Sequence, residues 1–218
     1  MATEKGFHPM SLGLARPLAL ALTLALWPTA ALAAPGFADE AEAKKAFLAS
    51  PSGRHIEATG HQVDRVIPLN DREVLVVDYV PEQGALSHWD NEARLVLYNW
   101  SPTDGFVRKQ FVSKAGDSLK GGLGGLTIAD MDGDGLPEVL AVSKTSGNSG
   151  RVVTMVFKRF EAGGKYRLVW MRKEPFAAAK MLEGNKLLYT YTKRSDRSQR
   201  LIEEVELSTI PLDGFITH

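Results

Sequence analysis

The 218-residue sequence contains no cysteine. No disulfide can staple the fold, so stability has to come from burial and from any ion the chain holds. A lipid-modified cysteine near the N-terminus is excluded by the same absence. Long apolar runs are also missing. The most apolar stretch, "LALALTLALW" from Leu18 to Trp27, is ten residues long, against the roughly 20 needed to cross a bilayer. It follows the weakly basic Lys5 and Arg16 and precedes Pro28 and the small-residue exit "ALAAP". That order predicts a secretory signal peptide over residues 1–33, cut after Ala33. A periplasmic or secreted product follows, with no membrane span after cleavage. Charge of one sign is lacking too. The 26 basic and 26 acidic side chains become 24 and 25 once Lys5, Arg16 and Glu4 are removed, a net of −1. This balance exerts no long-range pull on nucleic acid or anionic membranes.

Catalytic signatures are equally scarce. "KGGLGGL", Lys120 to Leu126, has no following Lys-Ser/Thr and leads into a strand pattern, so it cradles no phosphate. "SGNSG", Ser146 to Gly150, lacks the G-x-S-x-G spacing of a nucleophile elbow. His55 and His61 read as loop or edge-strand residues without an identifiable acid partner. No nucleophile, base and orienting group can be assembled, and no catalytic residue is assigned.

What the mature chain does contain is strand pattern. "FADEAEAKKAFLAS" places acids early and lysines late before Pro51-Ser52-Gly53, which predicts one short N-terminal helix with its linker over residues 34–54. From 55 to 218 a β-repeat domain is expected. Ten apolar runs between turn residues begin at Gln62, Glu73, Arg94, Phe106, Leu126, Glu138, Val152, Tyr166, Lys186 and Leu201. They fall into three units in which an apolar strand, "REVLVVDYV", "PEVLAVSK" or "NKLLYTYTK", leads to a hairpin or its remnant. The expected class is all-β and antiparallel: a small or degenerate propeller-like repeat, with a β-sandwich as the alternative. In the second hairpin, "FEAGGKY" is the turn, with Val153, Met155 and Phe157 set against Tyr166, Leu168 and Trp170.

One short segment carries chemistry. In "IADMDGDGLPEVL" the carboxylates of Asp130, Asp132, Asp134 and Glu138 stand at positions 1, 3, 5 and 9 of a turn, with Gly133 and Gly135 between them. Alternate side chains of a tight loop can converge on one point while the glycines let the backbone wrap. Crowded carboxylates repel unless a cation sits among them. With the Leu136 carbonyl and water they supply the six to eight oxygens that calcium takes, whereas magnesium demands a tighter octahedron. An EF-hand is excluded, because its twelfth position is Ala141 and both flanks are β-type.

These residues resemble the calcium loop of FG-GAP or VCBS repeats, the blades of integrin α-subunit propellers and of many exported bacterial proteins. The resemblance covers about sixteen residues. It implies a β-propeller blade in which Asp130, Asp132, Asp134 and Glu138 ligate Ca2+ and Leu136 adds a main-chain oxygen. "PLNDREVLVV" reads as a worn copy keeping Asn70 and Asp71, and "LEGNKLLYTY" keeps less, so one ion site is expected. Two further segments remain: "LSHWD", Leu86 to Asp90, as a contact platform or a folded-back tryptophan, and "KRSDRSQR", Lys193 to Arg200, as a solvated hairpin loop. The expected function is an exported calcium-binding module for binding or scaffolding, with a protein or glycan partner. The alternative is a hydrolase or lyase of cell-wall or extracellular polymer in which calcium is structural.

Overall fold

The computed structural model describes residues 36–80, 92–113, 119, 122–143, 150–193 and 195–207. The signal segment and "LSHWD" lie outside them, as do residues 146–149 of "SGNSG". Among the described residues no helix is long and apolar enough to cross a membrane.

Two helices open the described chain, where the sequence predicted one. Helix α1 (Glu40–Ala49) starts because the Asp39 carboxylate accepts the Glu42 N–H at 2.9 Å, while the Glu42 carboxylate accepts the Ala38 N–H at 2.8 Å. Ser50 ends α1 and caps α2 (Pro51–Ala58), its hydroxyl accepting the Gly53 N–H at 3.2 Å. Pro51 was read as a stop. It stands at the first turn of α2, where its missing N–H costs nothing and its fixed φ suits a helix. The linker ending at 54 is therefore helical, and His55 lies on a helix rather than in a loop. The helices meet so closely that a Cβ on Gly53 would stand 2.2 Å from the Phe47 carbonyl oxygen. Backbone cannot swing away like a side-chain tip, so Gly53→Ala is expected to cost about 1–3 kcal/mol in urea unfolding.

Among the described residues eleven strands follow, in three antiparallel meanders. The first sheet holds β1 (Gln62–Asn70), β2 (Glu73–Val80), β3 (Glu92–Ser101) and β4 (Gly105–Ser113). The second holds β5 (Leu123–Ala129), β6 (Glu138–Ser143), β7 (Arg151–Lys158) and β8 (Arg167–Pro175). The third holds β9 (Ala178–Leu182), β10 (Lys186–Thr192) and β11 (Arg200–Glu206), in the order β11-β10-β9. Ten of these match the apolar runs. The eleventh, β9, has five residues, "AAKML", without the β-branched alternation that marks a strand. Strand β5 begins at Leu123, so Gly124 and Gly125 of "KGGLGGL" lie within it.

The sheets stack face to face. Leu75, Val77, Leu95 and Leu97 of the first meet Val139, Ala141, Met155 and Phe157 of the second in the main core. The opposite face of the first sheet, with Val66, Val74, Val76, Val96, Tyr98 and Phe106, is covered by Ala43 and Phe47 of α1 and Ile56 of α2. Leu140, Val156 and Val169 on the far face of the second sheet meet Leu187 of the third. A bulge between Val156 and Phe157 opposes Val156 to Trp170 and Phe157 to Leu168. Trp170 therefore joins the outer core, not the inner row proposed for it.

Each of the three units read in the sequence lies within one of these sheets, which adds a leading strand to it: β1, β5 or β9. The all-β antiparallel class holds, in its sandwich-like alternative and not as a propeller. The third sheet leaves Ile202, Glu204 and Glu206 exposed, so the stack ends open and no ring closes among the described residues.

Candidate metal centre

The acidic turn joins β5 to β6, and Ala129 pairs with Glu138 to close it. Gly133 and Gly135 have φ of 77° and 81°, a left-handed backbone that a Cβ would oppose. The two Asp130 oxygens accept the N–H groups of Gly133 and Gly135, each at 2.9 Å. Asp134 accepts the Leu136 N–H at 2.8 Å. Ala141 lies in the core of β6, so the strand-loop-strand reading stands and the EF-hand reading fails.

Of the five proposed ligands, Asp130, Asp132 and Glu138 are brought together, with one carboxylate oxygen of each within 4.8 Å of the others. Asp134 stands to the side. Leu136 contributes its N–H to the turn, and its carbonyl oxygen makes no described contact. Glu138 is fully buried, with one oxygen accepting the Met131 N–H at 2.8 Å and the other, Oε1, making no hydrogen bond.

A residue absent from the sequence reading sits at the centre. The register pairing Val139 with Phe157 places Lys158, the last residue of β7, across from Glu138. Its Nζ donates to Asp132 and lies 3.4 Å from Glu138 Oε1 and 3.7 Å from Asp134. Lys158 is only 4 % exposed. Burial pulls its pKa down, but Asp132, Glu138 and Asp134 together hold it above the ordinary lysine value. Burial pushes the Glu138 carboxyl up and Asp132 adds to this, so that the Met131 N–H and Lys158 do not bring it back to the ordinary range. One ammonium thus leaves the corner short of positive charge. The signal for Lys158 was present in "VVTMVFKRF": two bases where the apolar run has not yet ended.

The next residue, Arg159, points to the equivalent corner of the first sheet. There Asn70 pairs with Glu73 around the short turn Asp71-Arg72, with no acidic loop. Glu73 occupies the place of Glu138, in "EVLVV" against "EVLAV". It is buried and bonded by Asn70 at 2.8 Å, Lys109 at 2.7 Å and Arg159 at 2.5 Å. This corner is neutralised by the protein's own cations. In the third sheet the corresponding residue is Lys186, paired with Glu204 at 2.7 Å.

The acidic turn is tied to the second and third sheets. The Met131 side chain packs in the outer core, and its carbonyl accepts the N–H groups of Gly184 and Asn185 at 3.0 and 3.3 Å. Tyr166, its hydroxyl pushed up to about 12 by burial, donates to the Pro137 carbonyl at 3.0 Å and carries the Arg159 guanidinium on its ring.

His61 does have an acid partner. Asp78 of β2, fully buried, binds Arg94 in bidentate fashion, and His61 Nδ1 lies 3.5 Å from Asp78 and 2.5 Å from Arg94. The described part of "KRSDRSQR" forms the largely exposed turn between β10 and β11.

No protein-family model, curated protein or solved structure matches the chain.

Proposed function

We propose that the protein is an exported, calcium-binding β-repeat module whose metal firms the junction of its three sheets so that its surface can engage a protein or glycan partner. The observation that carries this reading is the convergence of Asp130, Asp132 and Glu138 on one point, with the buried Glu138 Oε1 lacking a hydrogen bond. Oxygen-only donors favour a hard cation, and calcium tolerates irregular oxygen geometry better than magnesium, which demands a near-ideal octahedron. The ties of the same turn to the third sheet through Met131, and of its neighbours to the first through Arg159, support a structural role for the ion. Two residues beyond Lys158 the chain borders a cleft of about 610 Å³ lined by Lys109, Phe160, Glu161, Lys165 and Arg167. An aromatic ring among charges of both signs suits a polar partner.

Extracellular calcium sites bind at about 10⁻⁴–10⁻³ M. At about 1 mM free calcium, linkage then adds roughly 0.4–1.4 kcal/mol, a rise in Tm of about 1–5 °C. Thermal melts in calcium and in chelator are expected to differ by that amount in the wild type and not in Asp132→Ala. A wild-type midpoint indifferent to calcium removes the metal from this reading.

A further inference from the structure

The Lys158 ammonium lies among the carboxylates assigned to the metal. It contacts three of the four carboxylates assigned as ligands, and it arrives there by strand register rather than by the chance reach of a surface side chain. Nor can the corner be shared freely. Lys158 is 4 % exposed and Glu138 fully buried, so a divalent ion beside a retained ammonium would face like charge at a few ångströms with little water to screen it. The first sheet shows the other solution to the same problem: Glu73 has two cationic side chains and an amide, and no acidic loop has been kept around it.

We propose that Lys158 is a tethered competitor for the metal: calcium enters the acidic corner by displacing the Lys158 ammonium toward solvent, and the corner alternates between a lysine-filled and a metal-loaded state. This inference rests on the metal reading above and adds the gate to it. The lysine sets the affinity. A site that must first break a buried ion pair binds more weakly than its ligand set alone would, and it responds to calcium only when the ion is abundant. It also keeps the metal-free fold from carrying four uncompensated carboxylates at one turn.

The test compares wild type with Lys158→Met, which keeps the aliphatic stem and removes the charge. Calcium titrated by calorimetry is expected to bind Lys158→Met at least about tenfold more tightly than wild type. The wild type supplies a second readout that needs no variant. The Lys158 amine, shielded without metal, is expected to become reactive toward an amine-acylating reagent when calcium is added, as read by peptide mass spectrometry. Equal or weaker binding by Lys158→Met, or unchanged Lys158 acylation in a wild type that binds calcium, overturns the gate and leaves the metal site standing. Calcium binding by neither protein overturns both. If Lys158→Met folds only in calcium, that dependence supports the proposal. If it folds in neither condition, the acylation result decides.

Discussion

Glu73→Ala is expected to destabilise the protein by about 3–5 kcal/mol, because it strands the guanidinium of Arg159 in the interior. Arg159 is 2 % exposed and donates to Glu73 through Nη1, while its Nε and Nη2 make no hydrogen bond. The ring of Tyr166, 4.3 Å from the guanidinium carbon, then faces that charge. An exposed ion pair would cost less than about 1 kcal/mol on the same change, so the urea midpoint separates the two cases. The double variant Glu73→Leu with Arg159→Met should recover most of the loss, since an apolar pair of similar volume replaces a buried charge pair at little cost. The acid limb gives an independent check. Burial alone would raise the Glu73 pKa, but hydrogen bonds from Lys109, Arg159 and Asn70 carry it below the ordinary 4.5. A carboxylate held lower when folded contributes stability above its unfolded pKa and loses it as pH falls through the folded value. Wild-type stability should therefore fall below about pH 4.5 more steeply than that of Glu73→Gln.

Phe157→Ala is expected to cost a comparable 3–5 kcal/mol, by a different cause. Phe157 is 2 % exposed in the core between the first two sheets, opposite Val139 on one side and Leu168 on the other. Removing the ring leaves a cavity that two hydrogen-bonded sheets cannot collapse to fill. The contrast is Phe160, three residues on and 42 % exposed, whose replacement by alanine should change stability by no more than about 0.5 kcal/mol. Denaturant unfolding of both variants checks the pair, and equal effects would contradict the face-to-face stacking of the sheets. Either loss would exceed the roughly 1 kcal/mol that calcium, bound as proposed, would add through linkage. Burial therefore decides whether the fold exists.

The strands were legible because their cause is local. Val, Ile, Leu and aromatic residues alternate between turn residues, and a period of two survives without knowledge of the partner strand. Pro51 was misread because one residue type both ends a helix and begins one. Only the dual capping by Ser50, which depends on how α1 and α2 pack, distinguishes the cases. Trp170 changed faces through a single bulge, which no alternation rule can foresee. At the acidic turn, the spacing of Asp130, Asp132 and Glu138 announced their convergence because all three lie within nine residues. Lys158 was hidden because it reaches the site through cross-strand register, 26 residues from Asp132. Its neighbour Arg159 was further removed still, paired with a glutamate 86 residues earlier.

That last separation bears on how the fold is completed. The helices and the whole of the first meander precede Arg159 in the chain, so until β7 is in place Glu73 has only Lys109 and Asn70 of its three partners. The first half of the polypeptide thus carries an acid whose final counter-charge comes from the second sheet, and completing that cluster is coupled to the docking of β7 and the guanidinium just beyond it.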